Sequence, residues 1–344
     1  MQKKVLVTGG TGFVGMQIIF QLLQKGYSVK TTVRSLKSKS TVVEVLRKNG
    51  ASMLENLSFA EANLSKDEGW DAAMDECEYV LSVASPVFFD IPKDEQEVIR
   101  PAIDGIIRIL KAANHSKVKR VVMTSNFGAV GFSKKNGPQV ITTEEDWTDE
   151  NEPGLSAYEK SKLLAERAAW SYIETEGGQL EFATINPVAI FGPSLTNHVS
   201  GSFDLLKGLL NGSTKRIADI PLNVVDVRDV ADLHIRAMLS PEANGQRFIA
   251  SADGQISMKE IAELIRNERP QLASKVPTKK IPDALIEAGA LVNKQAREGK
   301  LFLEMNRNVS NEKAKKMLGW TPISNKEQAT LAAVDSLIKY GLVD

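Results

Sequence analysis

Short runs of β-branched and apolar residues alternate with amphipathic stretches through the first half of the chain. Val5–Thr8, Val29–Val33, Tyr79–Val83 and Arg120–Thr124 have the length and composition of buried strands. Phe13–Lys25, Thr41–Asn49, Glu95–Ala113 and Ser156–Tyr172 instead repeat their apolar positions at helical spacing. Strands that alternate with helices predict a parallel, doubly wound sheet. A further strand, Phe182–Asn186, runs into Pro187, and beyond it the alternation yields to a loop-rich stretch with Gly192, Pro193, Gly201, Gly212 and Pro221. The pattern then predicts a strand at Asn223–Val227, a helix at Val230–Leu239, a strand at Arg247–Ala250 and a helix at Met258–Arg266 entered through a Ser257/Glu260 capping box. The expected organisation is an α/β unit over residues 1–190 that receives returning segments from about 223–250. A smaller, mostly helical lobe is expected from 191–222 and 251–344.

Composition narrows the partners. Lys plus Arg and Asp plus Glu both number 43, so the 344-residue chain has no net formal charge and no basic face of the kind phosphate backbones require. Nucleic acid is not an expected partner. The start, Met1-Gln-Lys-Lys, leads directly into the first strand, and no apolar run reaches the roughly 20 residues of a membrane span; a mature, cytoplasmic protein is expected. A single Cys77 excludes an internal disulfide, and His115, His198 and His234 lack ligand-like spacing, so no metal site is expected.

The first strand opens into Gly9-Gly-Thr11-Gly12-Phe13-Val14-Gly15 and then a helix. Gly9 permits the tight turn, Gly12 lets backbone N–H groups approach a pyrophosphate, and Gly15 allows close helix-to-strand packing. In that context the glycines predict a Rossmann-type dinucleotide site. The residue after the second strand discriminates between cofactors: an acid binds a free ribose hydroxyl, a base accommodates a 2′-phosphate. No Asp or Glu occurs from Lys30 to Val43, whereas Arg34, Lys37 and Lys39 cluster there, which points to NADPH. Asn63-Leu64 after the third strand and Ala84-Ser85-Pro86 after the fourth fall where chain ends approach the adenine and the nicotinamide ribose.

Ser156-Ala-Tyr158-Glu159-Lys-Ser-Lys162 starts a helix, with Ser156 as N-cap and Glu159 as the other half of a capping box. Tyr158 and Lys162 then share one face. A phenol of pKa about 10 is a weak acid–base catalyst at neutral pH, and a neighbouring ammonium favours its ionised form.

These segments resemble the extended short-chain dehydrogenase/reductases, and among them the group of dihydroflavonol 4-reductases, cinnamoyl-CoA reductases and yeast methylglyoxal (ketone) reductases. The matching motifs are Thr8-Gly-Gly-Thr-Gly-Phe-Val-Gly15, Thr32-Val-Arg34, Ala84-Ser-Pro86, Arg120-Val-Val-Met-Thr-Ser125, Tyr158-x-x-x-Lys162, Asn186-Pro187 with Phe191-Gly-Pro193, and Asp226-Val-Arg-Asp-Val-Ala231. They span about the first 250 residues. The resemblance implies NADPH-dependent reduction of a ketone or aldehyde. Tyr158 would deliver the proton, and Lys162 would hold the ribose and lower the tyrosine pKa. Thr124, Pro187, Val188 and Ile190 would lie against the cofactor. The family's carbonyl-polarising serine is the second of a Thr-Ser-Ser run, which here reads Thr124-Ser125-Asn126, so both Ser125 and Asn126 are candidates. Phe88, Phe89, Phe127 and Phe191 are expected on loops around an apolar substrate pocket, and Arg228 with Asp229 as a structural ion pair. Two alternatives stand beside the reductase: an NAD-dependent sugar-nucleotide epimerase or dehydratase, against which Arg34 counts, and a non-catalytic NADP(H)-sensing regulator, which Asn126 alone favours. Monomer and homodimer are both compatible with the apolar helices.

Overall fold

A computed structural model describes residues 3–86, 94–137 and 139–343. The chain runs β1 (Lys4–Val7), α1 (Phe13–Gln24), β2 (Ser28–Val33), α2 (Lys39–Lys48), β3 (Leu57–Glu61), α3 (Trp70–Met74), β4 (Tyr79–Ser82), α4 (Gln96–His115), β5 (Arg120–Thr124), α5 (Ala157–Thr175) and β6 (Glu181–Pro187). It continues through β7 (Ala189–Phe191), α6 (Phe203–Leu210), β8 (Pro221–Leu222), β9 (Val224–Asp226), α7 (Val227–Leu239) and β10 (Gln246–Ala250). The remainder is β11 (Ile256–Ser257), α8 (Met258–Glu268), α9 (Asp283–Gly289), α10 (Lys294–Glu304), α11 (Glu312–Leu318) and α12 (Lys326–Lys339).

Seven strands form one sheet in the order β10-β6-β5-β4-β1-β2-β3, every pairing parallel. Side-chain alternation sorts the strands onto two buried faces. Val5, Val7, Leu81, Val122 and Ala183 pack on α1, α2, α7 and α11, while Leu6, Val80, Val121 and Phe182 pack on α3, α4 and α5. The two amphipathic helices α4 and α5 therefore bury their stripes against one another and the sheet within a single chain. A third cluster joins α6, α8 and α12 to β7 and β9. Phe13, the first residue of α1, belongs to this cluster and stands edge-on to Phe203 at 5.3 Å.

β10 pairs with β6 at the edge of the sheet. β9 does not join it, pairing with β7 instead. The helix expected from Val230 begins three residues earlier, at Val227, because the Asp226 carboxylate accepts the Arg228 N–H at 2.8 Å and caps it. That carboxylate also takes the Arg228 guanidinium, so the expected Arg228–Asp229 pair does not form. Asp229 accepts instead from the backbone N–H groups of Ile323 and Ser324, tying the C-terminal segment to α7. The Ser257/Glu260 capping box is present at α8.

One buried carboxylate holds the centre of this architecture. Glu166 on α5 is fully buried and accepts from Arg247 Nε of β10 (2.7 Å), Thr184 (3.1 Å) and Asn186 (2.7 Å) of β6, Trp170, and Ser125 beyond β5. The Arg247 guanidinium continues to the carbonyls of Glu144, Asp146 and Ala129, and lies 3.6 Å from the centre of the Trp147 ring. Removing one partner of such a pair leaves the other buried and uncompensated. Glu166→Ala is expected to destabilise the fold by about 3–5 kcal/mol, read as a lower urea midpoint. A change under about 1 kcal/mol would show the network is not structural.

Candidate functional site

The switch point of the sheet lies between β1 and β4, where the strand order reverses and a crevice opens at the carboxyl edge. Thr8, fully buried there, accepts the N–H groups of Val83 and Ala84 at 2.9 Å each and draws the chain after β4 over the glycine turn. Gly9 has φ +75° and would bring a Cβ within 3.2 Å of Ala84. At Gly15 a Cβ would lie 2.5 Å from the Gly9 carbonyl oxygen, so the first turn of α1 can sit this close to β1 only without a side chain. Gly12 caps α1 without a side-chain hydrogen bond, and the first turn carries no acid. Its orphan amides and partial positive charge suit an anionic diphosphate. Thr11 is exposed and Val14 half-buried, whereas the Phe13 ring is committed to the core, leaving its backbone alone for a ligand.

Beyond β2 and β3 a polar cavity of about 660 Å³ is lined by Arg34, Asn63, Glu61 and Arg108 among others. Asn63 accepts from the Ser65 N–H at 3.1 Å, and its own carbonyl takes the Trp70 indole, so the loop is built. Leu64 is fixed through its carbonyl by Arg108. Arg34 is exposed and makes no ion pair among the described residues. Lys37 is also exposed, while Lys39 lies over the Phe59 ring at 5.8 Å. Glu61 enters this corner from the adjacent strand, opposite Val33, with its carboxylate accepting the Leu36 N–H at 3.0 Å. A scan along residues 30–43 misses it, because strand pairing and not chain proximity puts it there.

The catalytic candidates meet at the same carboxyl edge. The Ser156 hydroxyl accepts the Glu159 N–H at 3.4 Å and starts α5. Tyr158 and Lys162 follow on one face, the Lys162 ammonium 5.5 Å from the centre of the Tyr158 ring. Lys162 is 7% exposed and has no ion-pair partner among the described residues. The tyrosine pKa is raised, not depressed as expected. Burial, with Glu159 adding, pushes Tyr158 up to about 12, while burial pushes Lys162 down to about 8. Desolvation favours the neutral form of each group and outweighs their mutual attraction. Glu159 has one carboxylate oxygen buried without a partner, and burial together with Glu298 on α10 pushes it up to about 7.

The two polarising candidates separate clearly. Ser125 is 4% exposed and spends its hydroxyl hydrogen on Glu166. Asn126 is half-buried; its Oδ1 accepts the Gly128 N–H at 2.6 Å and caps a short turn over Phe127–Ala129. That leaves the Asn126 Nδ2 hydrogens uncommitted among the described residues. A Cβ at Gly128 would lie 2.8 Å from Asn126 Oδ1 and 3.0 Å from Glu159 Cγ, so Asn126 and the start of α5 share one corner.

Other expected positions are redistributed. Phe191 is fully buried against Phe203 and Phe127 is 3% exposed, both in the core and not accessible walls, because the turns around them fold inward. Phe88 and Phe89 lie outside the described residues. Thr124 hydrogen-bonds His234 Nε2 at 2.7 Å. Pro187 and Val188 are buried, and the Val188 N–H is taken by the Ala250 carbonyl; Ile190 is half-buried, as are Ala84, Ser85 and Pro86. Among the described residues no group of acidic, His and Cys side chains is arranged to hold a metal ion, and no helix is long and apolar enough to cross a membrane.

The model of the 3-beta hydroxysteroid dehydrogenase/isomerase family matches residues 6–255. Anthocyanidin reductase ((2S)-flavan-3-ol-forming) of Vitis vinifera is 33% identical over 291 residues, 80% of this chain and 83% of the relative. Cinnamoyl-CoA reductase 1 of Arabidopsis thaliana is 34% identical over 288 residues, 82% and 80% respectively. The yeast methylglyoxal/isovaleraldehyde reductase Gre2, solved in complex with NADPH, superposes with a TM-score of 0.80 at 28% identity, covering 98% of each chain.

Lys162 sets a pH dependence. Its folded pKa of about 8 lies below the 10.5 of an exposed lysine, so between these values the unfolded chain binds a proton that the folded chain does not. The penalty is full below pH 8 and fades as pH rises through that window. Lys162→Met is expected to stabilise the cofactor-free protein at pH 7, on the order of 3 kcal/mol, with the gap narrowing towards pH 10.5. Denaturant melts at pH 7 and 10 measure this; an unchanged gap would mean the ammonium is solvated.

Proposed function

Because the chain belongs to the 3-beta hydroxysteroid dehydrogenase/isomerase family, whose model covers residues 6–255, we propose that it is an NADPH-dependent carbonyl reductase acting on a ketone or aldehyde. What carries the reading is the meeting of three features at one sheet edge: the uncapped glycine turn, the Tyr158/Lys162 face of α5, and an Asn126 amide with free hydrogens. The relatives are named reductases and Gre2 was solved with NADPH, which agrees with the cofactor the site suits. Arg34 is the residue for the 2′-phosphate, with Asn63 and Leu64 beside the adenine. Residues 84–86, Thr124 and 187–190 lie along the nicotinamide half.

Bound NADPH supplies the hydride. The chain's part is to hold the carbonyl oxygen and give it a proton. Asn126 Nδ2 donates a hydrogen bond to that oxygen, in the place a serine hydroxyl would occupy, and favours the negative charge that grows there. Tyr158 O–H donates the proton, completing the alcohol. A phenol held near 12 is fully protonated at neutral pH, as a proton donor must be. Lys162 favours the phenolate left behind by lying 5.5 Å from its ring centre. Charge on the tyrosine thus appears only after the proton has moved. The catalytic site is otherwise closed to solvent on the α5 side, where Ser161 and Lys162 are buried.

NADPH oxidation with a panel of aldehydes, α-diketones and aryl ketones tests this. Tyr158→Phe is expected to lower kcat by at least a thousandfold while retaining NADPH binding; unchanged turnover, or tight NADPH binding with no turnover on any carbonyl, would refute the proposal. Asn126→Ala is expected to lower kcat about 10–1000-fold, the range for loss of one oxyanion donor. Ser125→Ala is expected to cost stability and leave the pH profile alone; a larger kcat loss there than at Asn126 would transfer the role to Ser125. Arg34→Ala is expected to weaken NADPH about 10–100-fold relative to NADH, measured by the ratio of KM values.

A further inference from the structure

The segment 305–309 after α10 is laid between the two chain stretches that leave the carboxyl ends of β5 and β6. On one side the Asn306 N–H donates to Lys134 O at 2.7 Å and Val309 bridges to Thr142. On the other, the Arg307 carbonyl accepts from Asn223 Nδ2 at 3.0 Å, and the Asn223 carbonyl in turn takes the N–H of Ala189, two residues beyond Pro187. The Arg307 side chain turns back onto the end of α10 at Phe302. Its guanidinium is 5.9 Å from the centre of the Phe302 ring, and Phe302 continues through Phe132 to Phe127, the neighbour of Asn126.

Arg307 is 9% exposed, yet no carboxylate pairs with it among the described residues. Nη2 reaches only the Phe302 carbonyl at 3.3 Å, Nη1 makes no bond, and Nε is buried with no partner. Burial is strong enough to push even this guanidinium down to about 10. The neighbouring unpaired atom, Asn223 Oδ1, is a neutral acceptor and supplies no counter-charge. Of the α10 carboxylates, Glu298 faces Glu159 of α5 and Glu304 pairs with Lys135 and Lys300. Arg120 and Arg247, the other deeply buried arginines, each have a carboxylate: Glu181 and Glu166. A buried cation without an anion is costly unless a ligand provides one, and a planar guanidinium fork can take a carboxylate through two parallel N–H···O bonds.

We propose that Arg307 recognises a carboxylate on the substrate, so that the preferred substrates are carbonyl compounds that also carry a carboxylic acid. The inference rests on the reductase reading and adds the substrate class to it. The carboxylate sits at the Arg307 fork on the 305–309 wall, and the carbonyl group faces Asn126 and Tyr158.

Steady-state kinetics on keto acids from pyruvate to 4-acetylbenzoate, each beside its primary amide, test this. The wild type is expected to favour the acids at least tenfold in kcat/KM. Arg307→Met should lose at least 100-fold on the acids and less than threefold on the amides, with Arg307→Lys in between. Equal wild-type turnover of acid and amide in every pair, or an equal loss on both in Arg307→Met, overturns the proposal and leaves Arg307 a packing residue. If Arg307→Met does not fold, the wild-type acid-to-amide ratio decides alone. If no compound is reduced, the reductase reading fails, and benzoate binding to the NADP-loaded protein, by thermal shift, becomes the readout: protection by benzoate but not benzamide supports the carboxylate site, and no protection overturns it.

Discussion

The buried carboxylate of Glu166 is the constraint around which the rest is arranged. It lies two turns beyond Tyr158 on the same helix, and it gathers donors from Ser125 beyond β5, Thr184 and Asn186 of β6, and Arg247 of β10. A lone charge in that position would be prohibitive; the several donors and the buried guanidinium make it tolerable. The same bonds tie the helix that carries Tyr158 and Lys162 to the carboxyl ends of three strands of the sheet. The placement of the Tyr158/Lys162 face is therefore inherited from an electrostatic requirement of the fold, since α5 cannot shift without uncovering Glu166.

That constraint also explains how neighbouring residues differ in availability. Ser125 has the right chemistry to polarise a carbonyl, but its hydrogen belongs to Glu166. Asn126 points elsewhere, using Oδ1 to cap its own turn and leaving the amide hydrogens over. Around them sit ionisable groups whose charged forms burial disfavours: Tyr158, Lys162 and Glu159. Clusters of groups shifted in this way are characteristic of functional sites.

Much of this was legible in the residues. Short, continuous β-branched and apolar runs located the sheet strands β1, β2, β4, β5, β6 and β10, because strands buried on both faces are strongly apolar. The glycine turn and the Tyr158/Lys162 spacing were equally plain, since each depends on local backbone geometry. What escaped was set by distant contacts. Glu61 reaches the Arg34 corner through strand pairing, Phe191 turns inward onto Phe203, and Arg228 chooses Asp226 over Asp229 because a helix cap is two residues away. The solitude of Arg307 is likewise invisible in one dimension, because a missing counter-ion is a property of the folded interior.

The edge-on contact between Phe13 and Phe203 has a consequence for how this protein tolerates change. Phe13 opens the helix whose first amides border the glycine turn, while Phe203 opens α6 in the third core cluster. Rings 5.3 Å apart share one packing arrangement, so substitutions at the two positions are thermodynamically non-additive. Drift in α6, far from the turn in sequence, thus trades directly against variation at the mouth of the dinucleotide crevice, and the two positions form a single unit of mutational tolerance.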